Sequence, residues 1–176
     1  MSTLYTDNIR ANNASNITMP AGQTLIAPGH TIQYATSVST NTLNTQSSTY
    51  ADLPGMSITF TPKASNSHLL FIVTTHIFKQ QSPNWQAAGV KVYRGDGTSI
   101  MNEGSYGQGA NYADNTHDRH MEYVTRHFFA VLSSAAAVTY TVKGAKIQGS
   151  SDGVNMVFNN TAYGDGGRLT IMEIAQ

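Results

Sequence analysis

The segment Arg168-Leu-Thr-Ile-Met-Glu-Ile-Ala-Gln176 constrains the fold of this chain more than any other stretch. Read with a period of two, Leu169, Ile171, Glu173 and Ala175 share one face, and Thr170, Met172 and Ile174 share the other. The first face is apolar apart from Glu173, and the second carries Met172 and Ile174. A strand with so little solvent-facing character belongs between two packed surfaces, either two sheets or a sheet and a neighbouring subunit. This strand is therefore expected to be locked into a sheet.

Residues 68–79 make the same demand over a longer run. Leu69, Phe71, Val73, Thr75 and Ile77 face one way, and Leu70, Ile72, Thr74, His76 and Phe78 the other, so a central strand covered on both sides is expected. Further strands are expected over 31–39, with Ile32, Tyr34 and Thr36 on one face, and over 56–61, with Met56, Ile58 and Phe60 inward and Pro62 as the stop. Others fall at 88–94, 121–132, 137–147 and 155–159. Gly95-Asp96-Gly97 is a hairpin signal. Residues 40–48 and 103–119 read as loops, the second long for a simple connection. About eight strands without αβ alternation predict an all-β chain, a jelly-roll-like β-sandwich over residues 31–176.

Residues 1–30 differ from the rest. Leu4, Ile9, Ile17, Met19 and Leu25 stand singly among polar and turn residues, too sparse for a core of their own. The plain reading is a disordered arm; the steady recurrence of these residues points instead to short strands and turns that order against copies of the chain or against a larger assembly.

Charged residues make up 11% of the chain and the formal net charge is zero, against about 25% charged in typical soluble domains. A surface so poor in charge is expected to be covered by partners or solvated by amides and hydroxyls. No cluster of Lys and Arg is present to neutralise phosphates, so nucleic acid is not an expected partner. The absence of cysteine excludes disulfides, thiolate metal sites and cysteine nucleophiles. Residues 1–8 show no basic segment leading into an apolar one, so no secretory signal is expected there, and no apolar run reaches the ~20 residues of a membrane helix.

Catalytic and ligand motifs are weak. Gly104-Ser-Tyr-Gly-Gln-Gly109 resembles a phosphate loop only in its glycines; it lacks the Lys-Ser/Thr ending and a following helix. Asp114, His117, Asp118 and His120 could ligate a cation but have no zincin spacing, and they read as a hydrated loop. In a trimer, His76 or His127 on the axis would be presented three times, although each reads first as a hydrogen-bonded strand histidine. The acids borne on strands, Glu122 and Glu173, are not paired by the sequence, so neither catalysis nor a cofactor is expected. Trp85, Tyr106 and Tyr112 lie between strands among amides, the side chains that sugar rings and protein partners use. They are the candidate receptor-binding residues, with Trp85 reading equally as a cap on the end of the sandwich or as part of a subunit contact.

Three stretches carry a family resemblance: Thr49-Tyr-Ala-Asp-Leu-Pro-Gly-Met-Ser-Ile-Thr-Phe-Thr-Pro-Lys-Ala-Ser-Asn-Ser-His-Leu-Leu-Phe-Ile-Val73, Val92-Tyr-Arg-Gly95 and Leu169-Thr-Ile-Met-Glu-Ile174. With Ser2–Ile9 and Ile17–Gly22, they resemble tailed-bacteriophage virion proteins, particularly the tail-fibre-like and head-fibre-like proteins of marine and cyanobacterial phages. The resemblance implies a homotrimer, assembled in the host cytoplasm and resident in the virion. Its arm, with Leu4, Ile9, Ile17, Met19 and Leu25, would attach to other virion proteins, and its sandwich would project toward a host-surface glycan or protein. The alternative within the same group is a capsid decoration or head-fibre protein. Neither role involves membrane insertion.

Overall fold

A computed structural model describes residues 28–39, 41–79, 86–101, 108–113, 120–131, 134–149, 155–160, 162 and 166–176. Ten strands run in chain order: β1 Thr31–Val38, β2 Leu43–Thr45, β3 Ala51–Phe60, β4 His68–Lys79, β5 Gln86–Arg94, β6 Gln108–Ala113, β7 His120–Val131, β8 Val138–Gly149, β9 Met156–Phe158 and β10 Arg168–Ile174. There is no α-helix among the described residues. The chain is all-β, as its period-two patterning predicts.

The strands form two antiparallel sheets. One carries β1-β10-β4-β9-β2, with β7 paired to β4, and the other carries β3-β8-β5-β6. The pivot of the larger sheet is β4. Along one edge it pairs with β7 over its whole length, from His68↔Val131 to Lys79↔His120. Along the other edge β10 takes residues 68–74, and β9 takes 77–79. Residues 68–79 thus form a central strand by pairing, but the opposite sheet covers one face only: Leu69, Phe71 and Val73 are buried, whereas Leu70, Ile72 and Thr74 on the other face are half-buried.

The inward faces meet in one core. Leu53, Met56, Leu69, Phe71, Phe158 and Ile171 are among its fully buried members. Phe71 stacks on Phe128 of the neighbouring strand at 4.9 Å and meets the edge of Tyr140 from the opposite sheet at 5.0 Å. Burying a side chain of that size stabilises the fold by about 2–3 kcal/mol. Leu169 and Ile171 face this core while Thr170 and Met172 are half-buried on the other side, which is the alternation expected of the last strand.

Three readings change. Residues 40–48 contain a short strand, β2, paired with β9 through Leu43↔Phe158 and Thr45↔Met156; its polar composition conceals a backbone pairing. Residues 103–119 contain β6, paired with β5 through Ala87↔Tyr112 and Ala88↔Asn111. Here glycine, asparagine and tyrosine give no apolar alternation to detect. The strand expected at 56–61 begins at Ala51 instead. Pro54 and Gly55 lie in a register shift between Asp52 and Ser57, with Gly55 at φ 81°. Such a bulge suits β3, an outer strand that a proline can enter.

The hairpin signal at residues 95–97 holds. Gly97 has φ 83° and its amide donates to the Arg94 carbonyl at 2.9 Å. The arm boundary expected at residue 30 falls where Gly29 donates to the Ala175 carbonyl and Ala175 donates to that of His30. Leu4, Ile9, Ile17, Met19 and Leu25 lie outside the described residues.

Candidate interaction surface

The two outer faces of the sandwich have opposite chemistry. On the β3-β8-β5-β6 sheet, hydroxyls pair across strands: Ser57 with Thr141 at 3.0 Å and Thr59 with Thr139 at 2.8 Å. Lys143 bridges to Asp52 at 2.9 Å and lies over the Tyr93 ring, while Lys91 lies over Tyr50. The two hydroxyl pairs and Asp52 are exposed, and the lysines and tyrosines are half-buried. This face is built for solvent.

The outer face of the larger sheet is not. Six large apolar side chains are exposed among the described residues, namely Tyr34, Val38, Met121, Tyr123, Phe129 and Val131, and all belong to β1 or β7. Backbone register joins them into rows across the sheet. Tyr34 sits opposite Met172, Met172 opposite Leu70, and Leu70 opposite Phe129. The next row is Thr36, Thr170, Ile72 and His127, and the one after it Val38, Arg168, Thr74 and Thr125. On the other flank, Ile174, His68 and Val131 make a further row. Tyr34 is 72% and Phe129 62% exposed, so the two ends of the central row stand open. Contiguous apolar surface is a common feature of interaction sites.

One notch interrupts the face. Where β10 ends against Thr74 and β9 begins against Ile77, the edge of β4 is left between them. Thr74, Thr75, His76, Tyr123, Gly166, Gly167 and Arg168 line a cleft there of about 310 Å³. The His76 ring is buried, with Nε2 3.1 Å from the Asn160 carbonyl, and it lies 5.6 Å from the Tyr123 ring. Asn159 is bonded to Thr75 behind this lining. It is fully buried at φ 54°, accepts a hydrogen bond from Thr75 Oγ1 at 2.7 Å, and donates its amide to the His76 carbonyl. The cleft offers a cation, hydroxyls and an aromatic wall, and no carboxylate lines it among the described residues.

Glu173 is the functional-looking acid that pattern reading leaves unexplained. It is 0% exposed. Burial alone would raise its pKa, but hydrogen bonds from the Lys63 and Ala64 amides and the Gln33 side chain outweigh this and hold the carboxyl below its ordinary value of 4.5. Its oxygens are consumed by the 61–67 loop, so Glu173 pins that loop to β10. No spacing in the sequence announces this, because the donors are backbone amides more than a hundred residues away.

The predicted receptor-binding residues are not gathered into one place by the described structure. Trp85 and Tyr106 lie outside the described residues, and Tyr112 is placed by its backbone alone, in β6 opposite Ala87. Tyr112 therefore belongs to a strand and not to a loop. His127 is exposed in the second row of the apolar face, and His76 is buried at the cleft. Asp114, His117 and Asp118 are outside the described residues, among which no group of three potential metal ligands occurs. Among the described residues no helix is long and apolar enough to cross a membrane. No protein-family model matches the sequence, and no curated protein matches it.

Proposed function

We propose that this chain is a structural component of a bacteriophage virion: a short homotrimeric fibre whose jelly-roll sandwich is carried on an N-terminal attachment arm and meets the host surface. The observation that carries the proposal is the contrast between the two outer faces. A polar, hydroxyl-laddered face suits water, whereas the open row from Tyr34 to Phe129 suits assembly. A chain with zero net charge adds little repulsion between copies.

The strand order supports the jelly-roll reading. The principal strands run β1-β10-β4-β7 in one layer and β3-β8-β5-β6 in the other, the order that two interlocked Greek keys produce from eight strands. Viral capsid and lectin domains use that architecture; the step from architecture to role is analogy. The phage-like stretches at 49–73, 92–95 and 169–174 supply the role. They fall on β3, β4, β5 and β10 and the turns that join them. The reading involves no catalysis. Trp85, Tyr106 and Tyr112 remain the residues assigned to the host contact.

Imaging of phage particles that carry a label fused at Gln176 tests the role. Label at the tail tip is expected. Label on the head surface replaces the fibre with a shell-decorating protein, and label-free particles refute a virion role.

A further inference from the structure

We propose that the outer face of the six-stranded sheet turns toward the three-fold axis and packs against the same face of two other copies, with Tyr34, Met172, Leu70 and Phe129 at the centre of the contact. The inference deepens the homotrimer reading above and rests on it.

Three properties of the face select a copy of this chain as its occupant. The first is size. Four strands about 4.8 Å apart, with β4 and β7 running about 12 residues at 3.3 Å each, present roughly 600 Å². A specific contact buries about 800 Å² on each partner; shared between two neighbours, the face gives each contact roughly 300 Å², so it forms the apolar centre of the association and not the whole of it. A single extended peptide, one strand wide, would leave most of the four rows wet.

The second property is charge. None of the four residues in the central row is ionisable except the Tyr34 phenol; the rows on either side of it add His127 and His68, and the row beyond, ending in Val38, adds the cation Arg168, with no carboxylate in any of the four. A strongly charged partner would find almost nothing to pair with, whereas a second neutral surface of the same composition loses no ion pair on contact. The third is the position of the exposure. It lies on β1 and β7, the two flanks of the face, while Met172 and Leu70 between them are half-buried. Three such faces around an axis leave flank residues of one copy against those of the next, so each ring at the edge meets a neighbour and the shallow centre closes on the axis. Tyrosine and phenylalanine are the residues that concentrate energy in such contacts.

The test is the mass of the full-length protein in solution by light scattering, with Phe129→Glu, Tyr34→Glu and Thr59→Glu compared with the parent. Phe129 and Tyr34 are exposed at opposite edges of the apolar face, and Thr59 is exposed on the polar face. Circular dichroism confirms that each variant keeps its strands. The expected result is three times the 18.9 kDa chain mass for the parent and for Thr59→Glu, and the single-chain mass for whichever of Phe129→Glu and Tyr34→Glu remains folded. A trimeric parent whose folded Phe129→Glu and Tyr34→Glu forms are also trimeric overturns the assignment of this face and leaves the assembly reading standing. A parent at single-chain mass at micromolar concentration overturns both. Loss of the trimer in Thr59→Glu, with Phe129→Glu unaffected, places the contact on the other sheet and overturns the inference.

Discussion

The Gln33 side-chain amide donates to the Glu173 carboxylate at 2.7 Å, across the register position that β1 and β10 share. The same amide reaches the Thr61 carbonyl at 2.8 Å. Gln33 and Glu173 thereby tie the outer strand, the last strand and the β3–β4 loop into one corner of the sandwich.

That corner makes stability depend on pH with a definite sign. The folded-state pKa of Glu173 lies below its ordinary 4.5, so its contribution is fully present above that value and is lost as pH falls through the folded pKa. Glu173→Gln should lower stability by about 2–3 kcal/mol at pH 7, because an amide NH₂ now faces the Lys63 and Ala64 donors. The gap between parent and variant should narrow steadily as pH drops below 4.5. Urea titrations of both proteins at pH 7, 4 and 3 check this. A gap of constant size would show that the carboxylate charge is not what holds the corner.

Asn159 sets up a second test. Its left-handed backbone, buried side chain and bond to Thr75 occur together at the end of β9. Asn159→Ala loses the hydrogen bond and keeps a Cβ in a conformation that L-residues avoid, costing about 2–4 kcal/mol. Asn159→Gly loses the same bond but relaxes the backbone, so it should be less damaging by about 1 kcal/mol. Equal losses, measured by thermal or urea unfolding, would show that backbone conformation contributes nothing there.

How much of this was legible beforehand depends on what each element uses to hold itself. β4 and β10 are held by side-chain burial, and period-two patterning exposes them almost to the residue, as in residues 68–79. β6 and β2 are held by backbone pairing with apolar neighbours, and polar residues such as Asn111 and Asn44 carry no trace of that. The apolar face was half visible. Met172 and Ile174 announce a second apolar surface on β10. Its continuation to Tyr34 and Phe129 depends on register, which sequence periodicity leaves open.

Packing between the sheets supplies the last test. A Cβ added at Gly144 on β8 would lie 2.9 Å from Cζ of Phe158 and 3.0–3.1 Å from two further carbons of that ring. Phe158 is fully buried on β9, so its ring has little room to retreat. Gly144→Ala should therefore destabilise the fold by about 1–3 kcal/mol through overpacking, despite alanine being the better strand residue on entropic grounds. Phe158→Leu should cost about 1–3 kcal/mol by itself, since it removes part of a buried ring. The two changes are coupled through direct contact, so the double variant should lose at least 0.5 kcal/mol less than the sum of the single losses, roughly the lower bound for touching pairs. Strict additivity in a double-mutant cycle would mean that the methyl group finds space elsewhere, and that the glycine is not required by the Phe158 ring.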